Sequence, residues 1–488
     1  MNTFDPEPAV RHALPPLLLV LAVAAAPTLG AQDTPTERAA APEVVRQLDE
    51  LQRTIGVSAL VTRLSAPNPA REKVAARARA LMDSELLAMS DDITKHPEIG
   101  FKETRSTKIL IDYLKAHDFE VEEGVGGLAT AFRARSRKNS GSPVLGVVLE
   151  YDALRGTERD FHGDQHSAQG PVGMAAAIAI AEYLAASKLP GSVVAFGTPA
   201  EEMMPPSSKN VMFDKKVFDG VDIVVRSHSS IGSHRPGPGF GSCCLNIDGV
   251  RYVFGGAPAH QMTPWDGRNA LTAVRQLFDN IDAIRATARP ETRMQGIITE
   301  GGKAPNVVPD RAVADFYIRY PDEVYLAQVR QMVDDAARAA ALATGTKVKI
   351  DAYGSMRDGI SLGTLNELAF AYVKKYGGVK VMDAPGKPQG WEETGSVSSA
   401  VPGVGFSAHT SNGGYHTFEM EANALDSVGH QGFVVDAQAM AALLFDFATR
   451  ADFRAAVRRE FDTTKTLFGQ YQAGLRKAYM LPVVRDPR

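Results

Sequence analysis

The sequence predicts an α/β protein in which a doubly wound main domain carries an inserted, ferredoxin-like α+β lid. Apolar runs with the β-branched content of buried strands alternate with helical segments from about residue 85 to 240. Between residues 246 and 355 the order changes to strand, helix, strand, strand, helix, strand, which is the ferredoxin-like arrangement. A chain of 488 residues that is 44% hydrophobic is long enough for two or three such domains.

The first 31 residues have the pattern of a signal peptide. An apolar run extends from Leu14 to Leu29, and small residues up to Ala31 suit a cleavage site before Gln32. Because the run is short and broken by proline, it favours export over a spanning helix, with an uncleaved membrane anchor as the alternative. The sequence therefore predicts a periplasmic or secreted protein that has no stable membrane span after cleavage.

The remaining segments follow from composition and periodicity. Residues 32–74 read as a linker followed by an N-terminal helix, 75–245 as the first part of the main domain and 246–360 as the lid. Residues 361–450 return to the main domain, and 451–488 form a charged helical tail. The predicted main-domain strands are Val144–Leu149, Val193–Phe196, Val221–Val225 and Val401–Ala408, and its helices include Pro171–Lys188, Leu365–Lys375 and Val434–Thr449.

Charge and cysteine content argue against a nucleic-acid-binding protein and against a fold held together by disulfides. A net charge of -4 leaves no basic field that would attract nucleic acid. The two cysteines, Cys243 and Cys244, are adjacent. Since neighbouring side chains on a strand point to opposite faces, we expect two packed thiols and no disulfide framework.

Acidic residues and histidines recur where the predicted strands end. Glu201 and Glu202 follow one buried strand, Glu150 and Asp152 follow another, and His228 follows a third. A Glu-Glu pair on a loop is usually solvated surface, but here similar groups follow consecutive strands, whose carboxyl ends meet at one edge of an α/β sheet. Carboxylates and imidazoles are common Zn²⁺ ligands, so the sequence predicts a metal site at this edge.

Five motifs occur along the chain in the order EYDAL, GTPAEE, APAHQMTPWDGRNAL, GGKAPNVVPDRA followed by YIR, and GYHTFEMEA. Together they resemble the zinc aminoacylase and glutamate carboxypeptidase family. The match extends over roughly residues 75 to 450 and is similar to the amidohydrolase branch that includes aminobenzoyl-glutamate hydrolase and indole-acetyl-amino-acid hydrolase. The resemblance implies a catalytic α/β domain with an inserted lid and dimerisation domain.

The resemblance implies a role for each matching residue. Glu201 would be the general acid/base and Glu202 a metal ligand, and His228 and His416 would be further ligands. His260 would reach the active site of a neighbouring subunit and polarise the scissile carbonyl, which requires a homodimer or a larger homo-oligomer. Asn306 and Arg268 would bind polar groups of the substrate.

One motif departs from that branch, which usually has Cys-Gly-His where this chain has His162-Gly163-Asp164. Imidazole and carboxylate both bind metals, so His162 and Asp164 are candidate ligands, and a shift of two residues would make Asp164 and His166 the pair. Loss of the thiolate favours harder metals. We expect two divalent ions per chain, with zinc preferred and manganese or cobalt as alternatives.

The chemistry of these residues favours a metal-dependent amidohydrolase. Metal-activated water would attack the amide of an N-acyl amino acid or an aminobenzoyl-glutamate-like substrate, with Glu201 moving the proton. A metallo-carboxypeptidase or dipeptidase is the first alternative, since the same site serves either leaving group. The second is a non-catalytic binding protein in which the departure at His162 and Asp164 has dismantled the metal site.

Overall fold

A computed structural model describes residues 35–203, 207–241, 245–383 and 395–480. The predicted signal peptide and the Cys243–Cys244 pair lie outside these ranges. The helices are α1 (Pro35–Ile55), α2 (Val57–Ser65), α3 (Pro69–Leu81), α4 (Leu87–Lys95), α5 (Thr104–Ala116), α6 (His166–Ser187), α7 (Ser208–Asp214), α8 (Ala270–Arg285), α9 (Glu323–Thr344), α10 (Gly363–Tyr376), α11 (Phe418–Ala424), α12 (Ser427–Thr449) and α13 (Ala451–Ala478).

The strands form a large mixed sheet and two smaller sheets. They are β1 (Phe119–Glu123), β2 (Phe132–Ser136), β3 (Val144–Leu149), β4 (Ser192–Gly197), β5 (Ile223–Ser227), β6 (Ser233–Arg235), β7 (Gly239–Gly241), β8 (Asn246–Gly255), β9 (Arg293–Glu300), β10 (Arg311–Tyr320), β11 (Lys347–Met356), β12 (Gly359–Ser361), β13 (Val381–Asp383) and β14 (Gly403–Phe406). One π-helical turn, Met82–Leu86, joins α3 to α4.

The main sheet has eight strands in the order β1-β2-β4-β3-β5-β14-β12-β7. Its centre, from β4 to β12, is parallel, whereas β1, β2 and β7 pair antiparallel at the two edges. The fold is therefore the predicted α/β domain, with antiparallel edges that the apolar runs did not reveal. Short antiparallel edge strands are common on otherwise parallel sheets.

Both faces of the central strands are buried. Alternate residues such as Val147 and Val193 pack with α3, α6, α10 and α12 on one face. Their neighbours Val148 and Val194 pack beneath α7 and the 3₁₀ turn Gly395–Ser399 on the other. Burial on both faces explains why these strands read as continuous apolar runs. Helices α6 and α12 are long and apolar enough to cross a membrane by composition, yet both are mostly buried inside the protein as core helices.

The lid has the predicted order strand, helix, strand, strand, helix, strand. Its sheet runs β11-β8-β10-β9, with all neighbours antiparallel. Helices α8 and α9 pack on one face of this sheet through side chains that include Phe316 and Leu326. Strand β9 forms one edge, where Ile297 and Ile298 are exposed.

The first and last helices join the two domains. Helix α1 begins at Pro35, inside the segment whose composition favours a linker, because its alanine-rich sequence has high helix propensity. It packs along α13, whose first half contributes Phe453 and Phe461 to the main core. The second half contributes Tyr471 and Leu475 to the lid core. The helical tail therefore packs against both domains.

Glu460, which is fully buried on α13, joins this helix to the main domain. Its carboxylate accepts hydrogen bonds from the backbone N–H groups of Gly363 (2.6 Å) and Thr364 (2.9 Å) at the start of α10, and from the Gln52 amide of α1 (2.5 Å). A carboxylate at a helix N-terminus satisfies donors that the helix itself leaves unpaired. One side chain thus ties three helices together.

We expect Glu460→Ala to lower the free energy of unfolding by about 3 kcal/mol, because each buried donor left without a partner costs roughly 1–3 kcal/mol. Urea denaturation followed by circular dichroism measures the change. Asp462→Ala on the exposed side of the same helix is the matched control and should change stability by no more than about 0.5 kcal/mol. Equal effects of the two substitutions would contradict the role assigned to Glu460.

Candidate metal and active site

The register of the main sheet brings the functional segments to one edge. Leu149 of β3 lies opposite Gly197 of β4, and Phe406 of β14 lies opposite Ser227 of β5. The carboxyl ends of these parallel strands are therefore level with one another. The segments that leave them, together with the start of α6, carry Glu150, Asp152, Asp164, His166, Glu201, Glu202, His228 and His416.

Six of these side chains form three overlapping groups that could each hold a metal ion. Within each group, one ligand atom per residue lies within 4.8 Å of the others. Asp164, His166 and Glu202 each belong to two groups, so the groups share ligands as neighbouring metal sites do. The groups are Asp164, His166 and His228; Asp164, Glu202 and His416; and His166, Glu201 and Glu202.

His166 lies at the centre of the cluster and is fully buried. Its Nδ1 is 2.9 Å from Oδ1 of Asp152. Its Nε2 lies 3.9 Å from carboxylate oxygens of both Glu201 and Glu202 and 4.0 Å from Glu150. Burial lowers the pKa of His166, but the charge of Asp152 and its hydrogen bond raise it. The net pKa lies well above the ordinary value of histidine. With Nδ1 held by Asp152, Nε2 faces carboxylates across a gap that suits a shared cation.

His416 and Asp164 connect the two loops that flank the cluster. His416 Nε2 is 3.0 Å from Oδ2 of Asp164 and 3.7 Å from Glu202. The backbone N–H of His416 also donates to Gly163 O at 3.1 Å. Burial raises the pKa of Asp164, but the hydrogen bond from His416 and the charges of the nearby histidines together lower it, and the net shift is downward. Asp164 is therefore an ionised carboxylate that is available as a ligand.

His228 completes the cluster from the end of β5. Its backbone N–H donates to Phe406 O at 2.8 Å, which fixes the chain, and its Nδ1 lies 3.0 Å from Ser229 O. A backbone carbonyl at Nδ1 leaves Nε2 as the ligand atom, which is the usual arrangement of metal-binding histidines. The ring centroids of His228 and His166 are 5.6 Å apart.

Two buried cations lie behind the general-base candidate. Lys209 Nζ is 2.6 Å from Glu150 Oε1, and Arg226 is 3.2 Å from the same oxygen. Burial raises the pKa of Glu150, but the positive charges of Arg226 and Lys209 lower it, and the resulting pKa is about 2. Burial, followed by the charge of Glu150, raises the pKa of Glu201. Glu150 is thus a fixed anion, whereas Glu201 is a carboxyl group that can gain a proton.

His162 is the predicted ligand that the structure does not bring into these groups. It is fully buried, its backbone N–H donates to Glu421 at 3.0 Å, and burial followed by the charge of His166 lowers its pKa to about 3. Neither ring nitrogen has a hydrogen-bond partner within the described part of the chain. The geometry instead brings Asp164 and His166 together, which is the alternative register considered from the sequence.

The lid residues His260, Arg268 and Asn306 are exposed on their own chain. His260 Nδ1 accepts a hydrogen bond from the Met262 backbone N–H at 3.1 Å, and Arg268 donates to Gly267 O at 2.7 Å. Over the described residues, none of the three belongs to a metal-capable group. Their roles in binding substrate therefore stay predictions.

Sequence reasoning missed two contributions to the site, Lys209 and Arg226, and left open whether Asp152 binds a metal or supports a ligand. Asp152 orients His166 and also accepts the backbone N–H of Glu202 at 2.8 Å, so it positions two candidate ligands at once. Its place in the Glu-Tyr-Asp sequence indicated proximity but not this double contact. Lys209 and Arg226 carry no local signal, because a buried cation cannot be distinguished from a surface cation by sequence alone.

The donor set fits divalent metal ions. Glu150, Asp152, Asp164, Glu201 and Glu202 contribute five carboxylates, against which Lys209 and Arg226 supply two positive charges. Buried carboxylates in such an excess need cations or protons. Two divalent ions held by the mixed carboxylate and imidazole groups would supply that charge.

Comparison with known proteins finds a matching domain and similar sequences. Residues 244–344 match the M20_dimer family, described as a peptidase dimerisation domain. Human Xaa-Arg dipeptidase is 29% identical over 399 residues, which cover 77% of this chain and 88% of the relative. One of the p-aminobenzoyl-glutamate hydrolase chains of Escherichia coli K12 is 31% identical over 277 residues, covering 54% of this chain and 56% of the relative.

Two solved structures share the fold. One is an aminobenzoyl-glutamate utilization protein from Klebsiella pneumoniae, with a TM-score of 0.55, 19% identity and coverage of 76% of this chain and 98% of that one. The other is a Bacillus subtilis dinuclear metal-binding peptidase of the M20 family, with a TM-score of 0.53, 18% identity and coverage of 76% and 99%. The chain therefore has a peptidase dimerisation domain inserted in an α/β domain, is similar in sequence to Xaa-Arg dipeptidase, and shares its fold with these two structures.

Proposed function

We propose that this protein is a metal-dependent amidohydrolase that cleaves the amide bond of a small substrate. The observation that carries the proposal is the convergence of three histidines and three carboxylates at the ends of four parallel strands, with Glu201 among them. The relatedness to Xaa-Arg dipeptidase and to p-aminobenzoyl-glutamate hydrolase supports the same reaction class. Both relatives are named for cleavage of amide bonds.

The cluster would hold two divalent ions through Asp164, His166, Glu202, His228 and His416. When bound, such ions supply a water whose pKa falls from about 15.7 to about 7 and polarise the substrate carbonyl. Zinc is our preferred metal because imidazole and carboxylate both suit it, and manganese or cobalt are the alternatives.

Glu201 would act as the general acid/base. Its pKa is raised by burial and by Glu150, so it can take a proton from the attacking water and deliver it to the departing nitrogen. Asp152 would keep Nδ1 of His166 protonated and hold the backbone at Glu202. Lys209 and Arg226 would neutralise the negative charge of Glu150, so that this carboxylate does not repel the substrate.

The substrate would be an N-acyl amino acid, an aminobenzoyl-glutamate-like amide or a dipeptide. Xaa-Arg dipeptidase matches more of this chain than the p-aminobenzoyl-glutamate hydrolase chain does. This longer match supports a dipeptide as an alternative to the N-acyl amino acid. Asn306 and Arg268 in the lid are proposed to bind its polar groups.

A homodimer would complete the site. His260 is exposed on its own lid, as a residue that serves a neighbouring protomer should be, and edge strand β9 presents Ile297 and Ile298. The match to a peptidase dimerisation domain supports this assembly. Analytical ultracentrifugation should give twice the mass of the chain, and a strictly monomeric, fully active protein would contradict it.

We also propose that the protein is exported, in agreement with the apolar run from Leu14 to Leu29. Mass spectrometry of protein purified from its source should find a mature N-terminus near Gln32. An N-terminus at Met1 in the cytosolic fraction would contradict export.

We expect about two equivalents of metal per chain and hydrolysis that a chelator abolishes. Elemental mass spectrometry measures the metal, and a panel of N-acyl amino acids, p-aminobenzoyl-glutamate and Xaa-Arg dipeptides measures turnover. Activity should return when zinc or manganese is added to the chelated protein. Absence of both metal and turnover after reconstitution would instead favour a binding protein with a degraded metal site.

A further inference from the structure

The residue that precedes the two functional glutamates has an unusual backbone conformation. Ala200 has φ of 56°, in the left-handed region, and it is buried. This region costs a residue with a side chain about 1–2 kcal/mol. Such conformations persist only where the surrounding structure holds them, and they cluster at functional sites. The direction in which Glu201 leaves strand β4 depends on this residue.

A buried carboxylate holds Ala200 in place. Glu103 is fully buried, and its Oε1 accepts the Ala200 backbone N–H at 2.7 Å. Its other oxygen accepts the hydroxyl of Thr130 at 2.9 Å. Burial, and then the charge of Asp152, raises the pKa of Glu103 to about 7. Burying a carboxyl group is costly unless it is hydrogen-bonded, and both oxygens of Glu103 accept a hydrogen bond.

The loop that carries Glu103 packs tightly against the same turn. A side chain at Gly100 would place its Cβ 2.8 Å from the Cα of Ala200, so glycine is needed for the close approach. Ile99 forms a bridge with Ala153, and the Ala153 N–H donates to Glu98 O at 2.8 Å. The loop therefore contacts the chain beyond β3 and the chain beyond β4, both of which carry site residues.

We infer that Glu103 is a positioning residue that keeps Ala200 left-handed and thereby aims the Glu201 carboxylate at the reacting amide. The inference rests on the proposed function, because it assigns Glu103 a part in that reaction. It acts through the backbone of Ala200 and contacts neither the substrate nor the metal-capable groups.

Two variants test this role in the full-length protein. Glu103→Asp keeps the carboxyl group but is one methylene too short to reach both Thr130 and Ala200. We expect kcat to fall about 10- to 100-fold, since small displacements of a catalytic group have effects of this size. KM should change by less than about twofold and zinc content should stay at the wild-type level. Glu103→Gln can still accept the Ala200 N–H and should keep at least about half of kcat.

Hydrogen exchange separates this inference from the proposed function. The Ala200 amide should be protected in the wild type and in Glu103→Gln and should exchange at least about tenfold faster in Glu103→Asp. If the wild type hydrolysed no substrate, the proposed function would fail, and the exchange and zinc measurements would still show whether Glu103 holds Ala200.

Glu98 provides the matched control. Its carboxylate accepts the backbone N–H groups of Arg105 (3.0 Å) and Ser106 (2.7 Å) in the first turn of α5 but does not contact Ala200. Glu98→Ala should lower the melting temperature while leaving kcat and Ala200 exchange unchanged. The inference would be overturned if Glu103→Asp kept wild-type kcat and Ala200 protection, or if Glu103→Gln lost as much activity as Glu103→Asp.

Discussion

Glu201→Gln is expected to lower kcat by about 10²- to 10⁴-fold, the usual contribution of a general acid/base, while the bound metal stays at the wild-type level. The amide has nearly the shape of the carboxylate, so the fold and the proposed metal ligands should not move. It cannot accept a proton from water, and the proton for the leaving nitrogen is lost with it. Steady-state kinetics and elemental mass spectrometry on the same preparation measure both quantities.

Glu202→Gln is the matched control because it changes the adjacent residue in the same way. Glu202 belongs to two of the metal-capable groups, so its variant should lose metal and activity together. Full activity of Glu201→Gln, or undiminished metal in Glu202→Gln, would contradict the assignment of the two glutamates.

His166→Ala is expected to abolish metal binding and turnover, whereas His162→Ala should keep its metal. His166 Nε2 lies within 4.0 Å of three carboxylates that would share the cation, and His162 belongs to none of the groups formed by the described residues. Each substitution removes one buried imidazole four residues from the other. The pair therefore tests the ligand assignment with a closely matched loss of volume.

Zinc titration by calorimetry on the chelated protein measures the difference. We expect affinity to fall by at least about 100-fold in His166→Ala, since loss of a direct ligand exceeds the 10- to 100-fold effect of losing its supporting contacts. Circular dichroism should confirm that both variants fold. Loss of zinc in His162→Ala with retention in His166→Ala would restore the first register, in which His162 and Asp164 are ligands.

Local pattern was enough to predict the central strands of the main domain and the order of elements in the lid. Strands β3 and β4 and helix α10 have nearly the bounds that periodicity indicated, because each buries apolar side chains at a fixed spacing. The antiparallel edge strands β1 and β2 were not predicted. Their burial is partial and their sequences are charged, so no apolar run marks them.

The chemical character of the site was also predictable from the sequence. Acids and histidines that follow successive parallel strands must meet at one edge, and the residues Glu201, Glu202, His228 and Asp164 do so. The role of Glu103 could not be predicted, because its contact with Ala200 joins positions 97 residues apart. No spacing rule connects such positions before the chain is folded.

The sequence by itself determined the architecture, the edge of the sheet that carries the site and the kinds of groups found there. Only the tertiary structure decided which imidazole of the segment 161–166 faces the carboxylates, and how α1 and α13 join the lid to the main domain. The physical reason is that element type depends on local apolar spacing, whereas side-chain direction in a loop depends on distant partners. For His166 that partner is Asp152, and for the turn before Glu201 it is Glu103.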